Sequence, residues 1–373
     1  MSMQLSSLDI HFLLKELKHL ENSRVDQIYN NGKEEIYIQF HKRNVGRKIL
    51  RIVVGKAIFL AEAKNVDETP SGFCMLLRKH LEGKFLETIK QLESERILKL
   101  VFKSKDEIKK LYLEFFGKGN TILCNNEDVI IDCSIKHKFK DRSILPKEKY
   151  KYPNMEYNLF SIKKDQLTDL LKNSKKDKII TSIATGLGLG GVYSEEVCLS
   201  SGINKNTIPK KINDNEIKKI INSIKKIIKE KIKPQIIYEN REARDAVPVD
   251  LGFYNGNEKK KFSSYSEALE EYFTYELKLS KKKDSSHEKK INEVKWIMGE
   301  QEATLKGLKV KETENRKKAE LIYKNYQLIK EILDEINKAS KKYSWEDIKK
   351  KLKGHKVVKD VDVKDKQVVV DMD

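Results

Sequence analysis

Leu8, Phe12, Leu13, Leu17 and Leu20 recur at helical spacing behind the cap candidates Ser6 and Ser7, so residues 8–21 are expected to form a helix. Short runs rich in β-branched and aromatic residues follow at 25–29, 35–40, 49–54 and 57–61 and read as strands. The stretch PSGFCMLLRKHLEG has Pro70 early and Gly83 at its end, the order of breakers that brackets a second helix. Strand-like runs then return at 85–89, 97–102, 111–116, 121–124 and 129–133. Between two of them Gly117-Lys118-Gly119-Asn120 has the composition of a hairpin loop. The first 133 residues therefore read as mixed α+β.

Residues 138–178 are Lys-rich, contain Pro146 and Pro153, and read as a connector. In the segment IATGLGLGGVYSEEVC, residues 183–198, an apolar helical run enters a glycine ladder and leaves it as a second short amphipathic helix. That pattern is written by a helix-hairpin-helix. Gly188 and Gly190 allow the tight turn, Gly186 and Gly191 flank it, and the next helix can present N–H groups to a phosphate. Ser194 falls where two helices must approach, and Val197 lies one turn later on the same face. A glycine turn between two merely packing helices has a similar composition, but the periods on either side favour nucleic-acid contact. Ile217, Ile220, Ile221, Ile224, Ile227, Ile228 and Ile232 continue as a helical stripe that Pro234 ends, and residues 235–262 read as a short extended crossing segment.

From Ser264 the period changes. The positions from Ile291 to Ile336 that step by threes and fours are apolar except for Gln301, Glu312 and Asn315, a heptad seam that calls for a coiled-coil partner. One helix is expected from about 265 to 340, projecting from the body and bending or fraying at Gly299, Gly307 and the polar seam positions. Trp345 to Lys353 reads as a further short helix, and the alternating tail KVVKDVDVKDKQVVVDMD as a β-hairpin. No second heptad stretch follows in these residues, so self-association or another chain's helix is expected along the seam.

Composition sharpens this picture. A length of 373 residues suits two or three domains, and 76 Lys+Arg against 57 Asp+Glu, net +19, make a polyanion the first partner to consider. Between Lys205 and Lys233 ten lysines accompany Asp214, Glu216 and Glu230. Such a face also suits plain solvation, but beside a helix-hairpin-helix Lys225, Lys226 and Lys229 extend a phosphate footprint. Arg78 and Lys79 close the second helix, where cations meet the negative dipole end, and Lys118 sits at a loop tip; all three are candidates for additional RNA contacts. No run of eighteen apolar residues occurs, so no membrane partner is expected. The start lacks a basic n-region and cleavage site, which points to the cytoplasm. Cys74, Cys124, Cys133 and Cys198 show no CxxC spacing and read as reduced, buried side chains, with neither metal nor cofactor expected.

Four segments in one order carry a family resemblance: FCMLLRKHLEGKFLETIKQLESERILKLVF, LYLEFFGKGNTILC, IATGLGLGGVYSEEVCLSSGI and FSSYSEALEEYF. Over essentially its whole length the chain resembles the NFACT proteins, the NEMF/RqcH group of ribosome-associated quality control. The resemblance implies an NFACT-N domain at 1–165 with a fold related to formamidopyrimidine-DNA glycosylases, then a helix-hairpin-helix domain at 166–233. A crossing segment at 234–263 packs on NFACT-N, a coiled-coil arm spans 264–344, and a small middle domain at 345–373 forms its tip. The returning helix and RNA-binding NFACT-R domain that usually follow are not in these residues, so a truncated or abbreviated member is expected.

By resemblance, an early Asp and an Asp-Arg pair engage aminoacyl-tRNA during template-free tailing of stalled chains. The early Asp matches Asp9, and the pair falls on Glu95-Arg96, whose acid is one methylene longer here. Neighbouring strand residues point to opposite faces, so both can serve one site only from a strand end or bulge. The implied function is a factor that binds the large ribosomal subunit and obstructed peptidyl-tRNA and recruits charged tRNA, alanyl-tRNA by resemblance. It has no catalytic residues, and peptidyl transfer is left to the ribosome. The alternative is a DNA glycosylase/AP lyase of the related fold, which needs an N-terminal proline amine, an adjacent Glu and a zinc finger. The opening Met1-Ser2-Met3-Gln4 offers neither of the first two, and the four-cysteine finger is absent from these residues. A coiled-coil scaffold would explain the arm but not the hairpin.

Overall fold

The computed structural model describes residues 3–371 apart from 68, 140, 141 and 154, with the backbone alone at 278–289 and 292. Two compact units emerge, 1–280 and 281–373. The first helix of the first unit, α1, Ser7–Leu17, opens with a capping box in which Ser6 and Asp9 satisfy each other's backbone N–H. Its apolar positions do not form one stripe. Ile10, Leu13 and Leu17 enter one core while Leu8 and Phe12 enter another, so α1 is buried on both sides. A polar residue on such a helix must find partners inside the protein, which bears directly on Asp9.

The strands expected before residue 133 form one antiparallel sheet. Its members are β1, Arg24–Asn31, β2, Glu35–Lys42, β3, Gly46–Val53, and β4, Ala57–Ala61. After helix α2, Gly72–Leu81, come β5, Phe85–Gln91, β6, Ile97–Lys103, β7, Ile108–Glu114, β8, Asn120–Cys124, and β9, Ile130–Cys133. The order β4-β3-β2-β1-β5-β6-β7-β8-β9 joins two meanders, which meet where Arg24 pairs with Phe85. Ser71, just after Pro70, caps α2, its side chain accepting from the Cys74 N–H. All four cysteines are free and buried.

Residues 138–178 are more structured than a connector. A small hairpin pairs β10, His137–Lys138, with β11, Ser143–Ile144, and helix α3 spans Lys164–Asn173. The lysine content hid α3, whose Leu167, Leu170 and Leu171 supply only one narrow buried face. Helices α4, Ile179–Gly186, α5, Gly190–Ser201, and α6, Asp214–Ile228, complete a second core with it. Close packing explains Gly186, where a Cβ would lie 2.8 Å from the Leu170 side chain. Ser194 and Val197 are fully buried, as their spacing suggested.

The crossing segment is extended and forms its own sheet, in the order β13-β12-β14, from β12, Gln235–Glu239, β13, Glu242–Val247, and β14, Glu258–Lys261. Strand alternation divides it between the cores: Ile236 and Ala246 enter the first, Ile237 and Val247 the second. Helix α7, Tyr265–Lys324, starts inside the first unit, where Tyr265, Leu269 and Phe273 are fully buried. Its N-terminus is capped from α1, because the Glu16 carboxylate accepts the N–H groups of Tyr265 at 2.7 Å and Ser266 at 3.0 Å.

The second unit holds the rest of α7, then α8, Tyr326–Ser340, α9, Trp345–Lys351, and the hairpin of β15, Val358–Asp362, with β16, Gln367–Val370. Ile336, Ile348, Val358 and Val361 are buried in it among the described residues. The helix does not break at Gly299 or Gly307. It breaks at Asn325 (φ −106°, ψ 21°), whose side-chain amide donates to the Leu321 carbonyl at 3.2 Å. An Asn that bonds the preceding turn competes with the helix ladder, whereas an exposed helical glycine lowers propensity and still follows the backbone. Val294, Leu305, Leu308 and Leu333 on the seam are each more than half exposed.

Candidate functional site

Asp9 lies on the doubly buried α1 and is itself buried. Its Oδ2 accepts the Ser6 N–H at 2.8 Å and the Ser6 hydroxyl at 2.7 Å, while Oδ1 accepts the Tyr193 hydroxyl at 2.6 Å and faces that of Tyr265 at 3.2 Å. The carboxylate thus ties α1 to α5 and to the start of α7. Burial raises its pKa above 3.8, and the bonds from Tyr193, Ser6 and Tyr265 pull the other way. Its acceptor positions are used inside the protein. Asp9 is therefore placed to hold the walls of a site rather than to touch what enters it.

Glu95 and Arg96 lie in the turn between β5 and β6, immediately before the first residue of β6. The strand-end condition is met there. The buried Glu95 carboxylate accepts the Met155 N–H at 2.6 Å, a bond that uses the reach of the longer acid. Burial raises the Glu95 pKa, opposed by that bond. Arg96 is half-buried, and burial disfavours its charge while Glu95 supports it. Among the described residues its guanidinium has no direct hydrogen bond and no ion pair. A half-buried Arg with open donors suits a ligand edge.

Gly188 (φ +66°) and Gly190 (φ +73°) make the turn between α4 and α5. At Gly188 a Cβ would be strained by φ and would also lie 2.5 Å from the Met155 side chain, so the turn and Met155 are fitted to each other. No side chain caps α5, so its first N–H groups lack that partner. These pieces converge on a cavity of about 430 Å³, lined among others by Asp9, Arg96, Met155, Gly188, Gly190 and Gly191. Gln4 lines it as well and donates to the carbonyls of Gly55 and Gly117, each at 3.0 Å, which ties the Lys118 loop to its rim.

The cavity also contains Asp245 of β13, which the sequence reading missed. Its Oδ1 accepts the Ala246 N–H at 2.9 Å and its Oδ2 the Tyr254 hydroxyl at 2.7 Å. Burial, reinforced by Asp9, raises its pKa to about 7, against the lowering effect of Tyr254. One signal was available: an acid on the inward face of a strand, two residues before Val247, requires a partner. Tyr193 and Tyr265, which serve Asp9, lie 184 and 256 residues from it and gave no signal, whereas Tyr254 stands only nine residues after Asp245.

The other candidates lie away from the cavity lining. Lys225, Lys226 and Lys229 are exposed at the C-terminal end of α6, where they complement its dipole. Arg78 is committed locally: its Nε donates to the Ile28 carbonyl at 2.6 Å and approaches Glu82 at 3.8 Å. Lys79 and Lys118 are exposed. No helix among the described residues is long and apolar enough to cross a membrane.

Residues 6–368 match the family described as NFACT N-terminal and middle domains. The archaeal Rqc2 homolog aRqcH of Methanocaldococcus jannaschii is 35% identical over 372 residues, covering 95% of this chain and 55% of that protein. The ribosome quality control complex subunit NEMF homolog of Drosophila melanogaster is 24% identical over an alignment of 428 residues, covering 96% of this chain and 42% of its own length. Rqc2 homolog RqcH of Bacillus subtilis is 29% identical over 207 residues, 50% of this chain and 36% of that one. The chain thus spans about half or less of the length of these curated relatives. Among solved structures, the fibrinogen binding protein from Staphylococcus aureus shares the fold, with a TM-score of 0.61 at 18% identity over 72% of this chain and 98% of that one. The N-terminal part of the fibronectin/fibrinogen-binding protein from Streptococcus suis does so with a TM-score of 0.58 at 21% identity, covering 73% and 99%.

Proposed function

The chain belongs to the NFACT N-terminal and middle domain family, and on that premise we propose that it is a cytoplasmic ribosome quality control factor. In this reading it binds the large ribosomal subunit and obstructed peptidyl-tRNA and recruits aminoacyl-tRNA, alanyl-tRNA by family resemblance, for template-free tailing. The observation that carries it is the convergence of Asp9, Arg96 and the hairpin glycines on one cavity. Arg96 contacts the tRNA, Asp9 holds α1, α5 and α7 in place around it, and Glu95 fixes the turn that presents Arg96. The α4–α5 hairpin acts as a helix-hairpin-helix, and with the α6 lysines it grips the RNA backbone. The exposed seam of α7 and α8 takes a coiled-coil partner, another helix or a second copy. Nothing in this reading asks the protein for covalent chemistry.

tRNA binding by the purified chain is expected to be steeply salt-dependent, each phosphate contact on single-stranded RNA adding roughly 0.7 to the log–log slope. Affinity that stays flat from low to moderate salt would contradict a backbone grip. Changing Lys225, Lys226 and Lys229 to Glu should weaken all tRNAs about equally and lower that slope, measured by fluorescence anisotropy.

Arg96→Ala is the sharper test. With no hydrogen bond or ion pair to lose among the described residues, it should change stability by less than about 1 kcal/mol. Charged-tRNA recruitment should fall while ribosome association persists. Unaltered tailing in a chain extended to the relatives' full length and carrying Arg96→Ala would remove Arg96 from the site.

A further inference from the structure

The cavity presents two carboxyl groups whose surroundings differ. Asp9 has its acceptor positions filled by Ser6, Tyr193 and Tyr265, whereas Asp245 receives one bond on each oxygen and keeps hydrogen-bonding capacity on the cavity side. Arg96 brings open donors to the same space, and Met155, Leu189, Val192 and Val247 supply apolar wall. A phosphate would meet both acids at close range. A flat group with apolar faces and a polar edge suits the lining better, and a nucleobase has that form.

We propose that Asp245 is a further specificity-determining residue of this cavity: its protonated carboxyl hydrogen-bonds the edge of an unstacked RNA base held against Arg96, and its ionisation expels that base. This rests on the reading of tRNA as the partner. The groups that face Asp245 come from every neighbouring element: Asp9 of α1, Tyr193 of α5, Tyr254 after β13, Tyr265 and Tyr272 of α7, and Arg244 beside it on β13. Arg244 is a cation but is exposed, and Arg96 faces the same cavity from the β5–β6 turn. Burial and the Asp9 charge therefore dominate and move ionisation to about pH 7. A polyanion brought to the cavity pushes in the same direction, so binding and protonation reinforce each other.

The test is tRNA affinity of the whole chain by fluorescence anisotropy at constant ionic strength, over about two pH units on either side of neutrality. For the unmodified chain, affinity should be highest on the acid side and fall by up to about tenfold per pH unit above about pH 7, the limit for one linked proton. Asp245→Asn, neutral at every pH, should abolish that fall and bind more tightly than the unmodified chain at alkaline pH. Tyr254→Phe removes the hydroxyl that favours the carboxylate, so the fall should begin at higher pH. If the Asn variant does not fold, the Tyr254→Phe shift decides alone, and an unmoved or lowered midpoint overturns the proposal. An Asn variant that keeps the full pH dependence overturns it too. A pH-flat affinity in the unmodified chain overturns this inference and leaves the tRNA reading standing, whereas no tRNA binding at any pH overturns both.

Discussion

Asp9→Ala is expected to destabilise the first unit by roughly 2–5 kcal/mol. The Tyr193 hydroxyl and the Ser6 N–H both lose their acceptor, and Tyr193 is almost fully buried. An orphaned buried donor costs roughly 1–3 kcal/mol. Tyr265 is spared, since its hydroxyl has the Ala246 carbonyl at 3.0 Å as a second acceptor. The pH dependence has a definite sign. Because the folded pKa lies above 3.8, the stabilising contribution of Asp9 is complete below that value and is lost as pH rises through the folded pKa. Asp9→Asn should therefore compare better with the unmodified chain at neutral than at acid pH. Hydrogen exchange at α1 and α5 is the suitable measurement, because both tryptophans, Trp296 and Trp345, lie in the second unit and report on that unit. If Asp9→Ala leaves that protection unchanged while tRNA recruitment falls, Asp9 is a contact residue and its assignment as a holding residue fails.

This distinction could not be drawn from sequence. The period of α1 was legible, but the splitting of its apolar residues between two cores is a tertiary fact, and only that splitting explains why Asp9 needs internal partners. The Glu95-Arg96 turn was half legible: the two could share a site only from a strand end, and they stand at one. The strands up to residue 133 were readable because period-2 runs between turn residues constrain pairing strongly. Asp245 was not, since its significance depends on Tyr254, Tyr193 and Asp9 arriving from three other elements. Asn325 was missed for a different reason. A count of helix propensities marks Gly299 and Gly307, whereas the break arises from a specific side-chain bond to Leu321.

Arg51→Ala should cost roughly 3–5 kcal/mol, the range for removing one partner of a buried ion pair, without touching the cavity. Arg51 on β3 and Glu35 on β2 approach to 2.5 Å with side chains only 7% and 1% exposed. The Tyr37 hydroxyl donates to the second Glu35 oxygen at 2.7 Å, and the guanidinium lies 5.7 Å and 5.5 Å from the rings of Tyr37 and Phe59. Arg51 also reaches Thr274 of α7 at 3.4 Å, so the pair helps seat the first turns of that helix. Alanine would leave the buried Glu35 carboxylate without its charge partner. The double change Arg51→Met with Glu35→Leu removes both charges and should recover most of the loss, since a packed apolar pair often equals or exceeds a buried ion pair. Neither residue lines the cavity, so tRNA affinity measured well below the unfolding transition should match that of the unmodified chain. A single Arg51→Ala variant as stable as the unmodified chain would mean that water reaches Glu35. A folded variant with weakened tRNA binding would mean that the seating of α7 is felt at the cavity, through the contact of Tyr265 with Asp9.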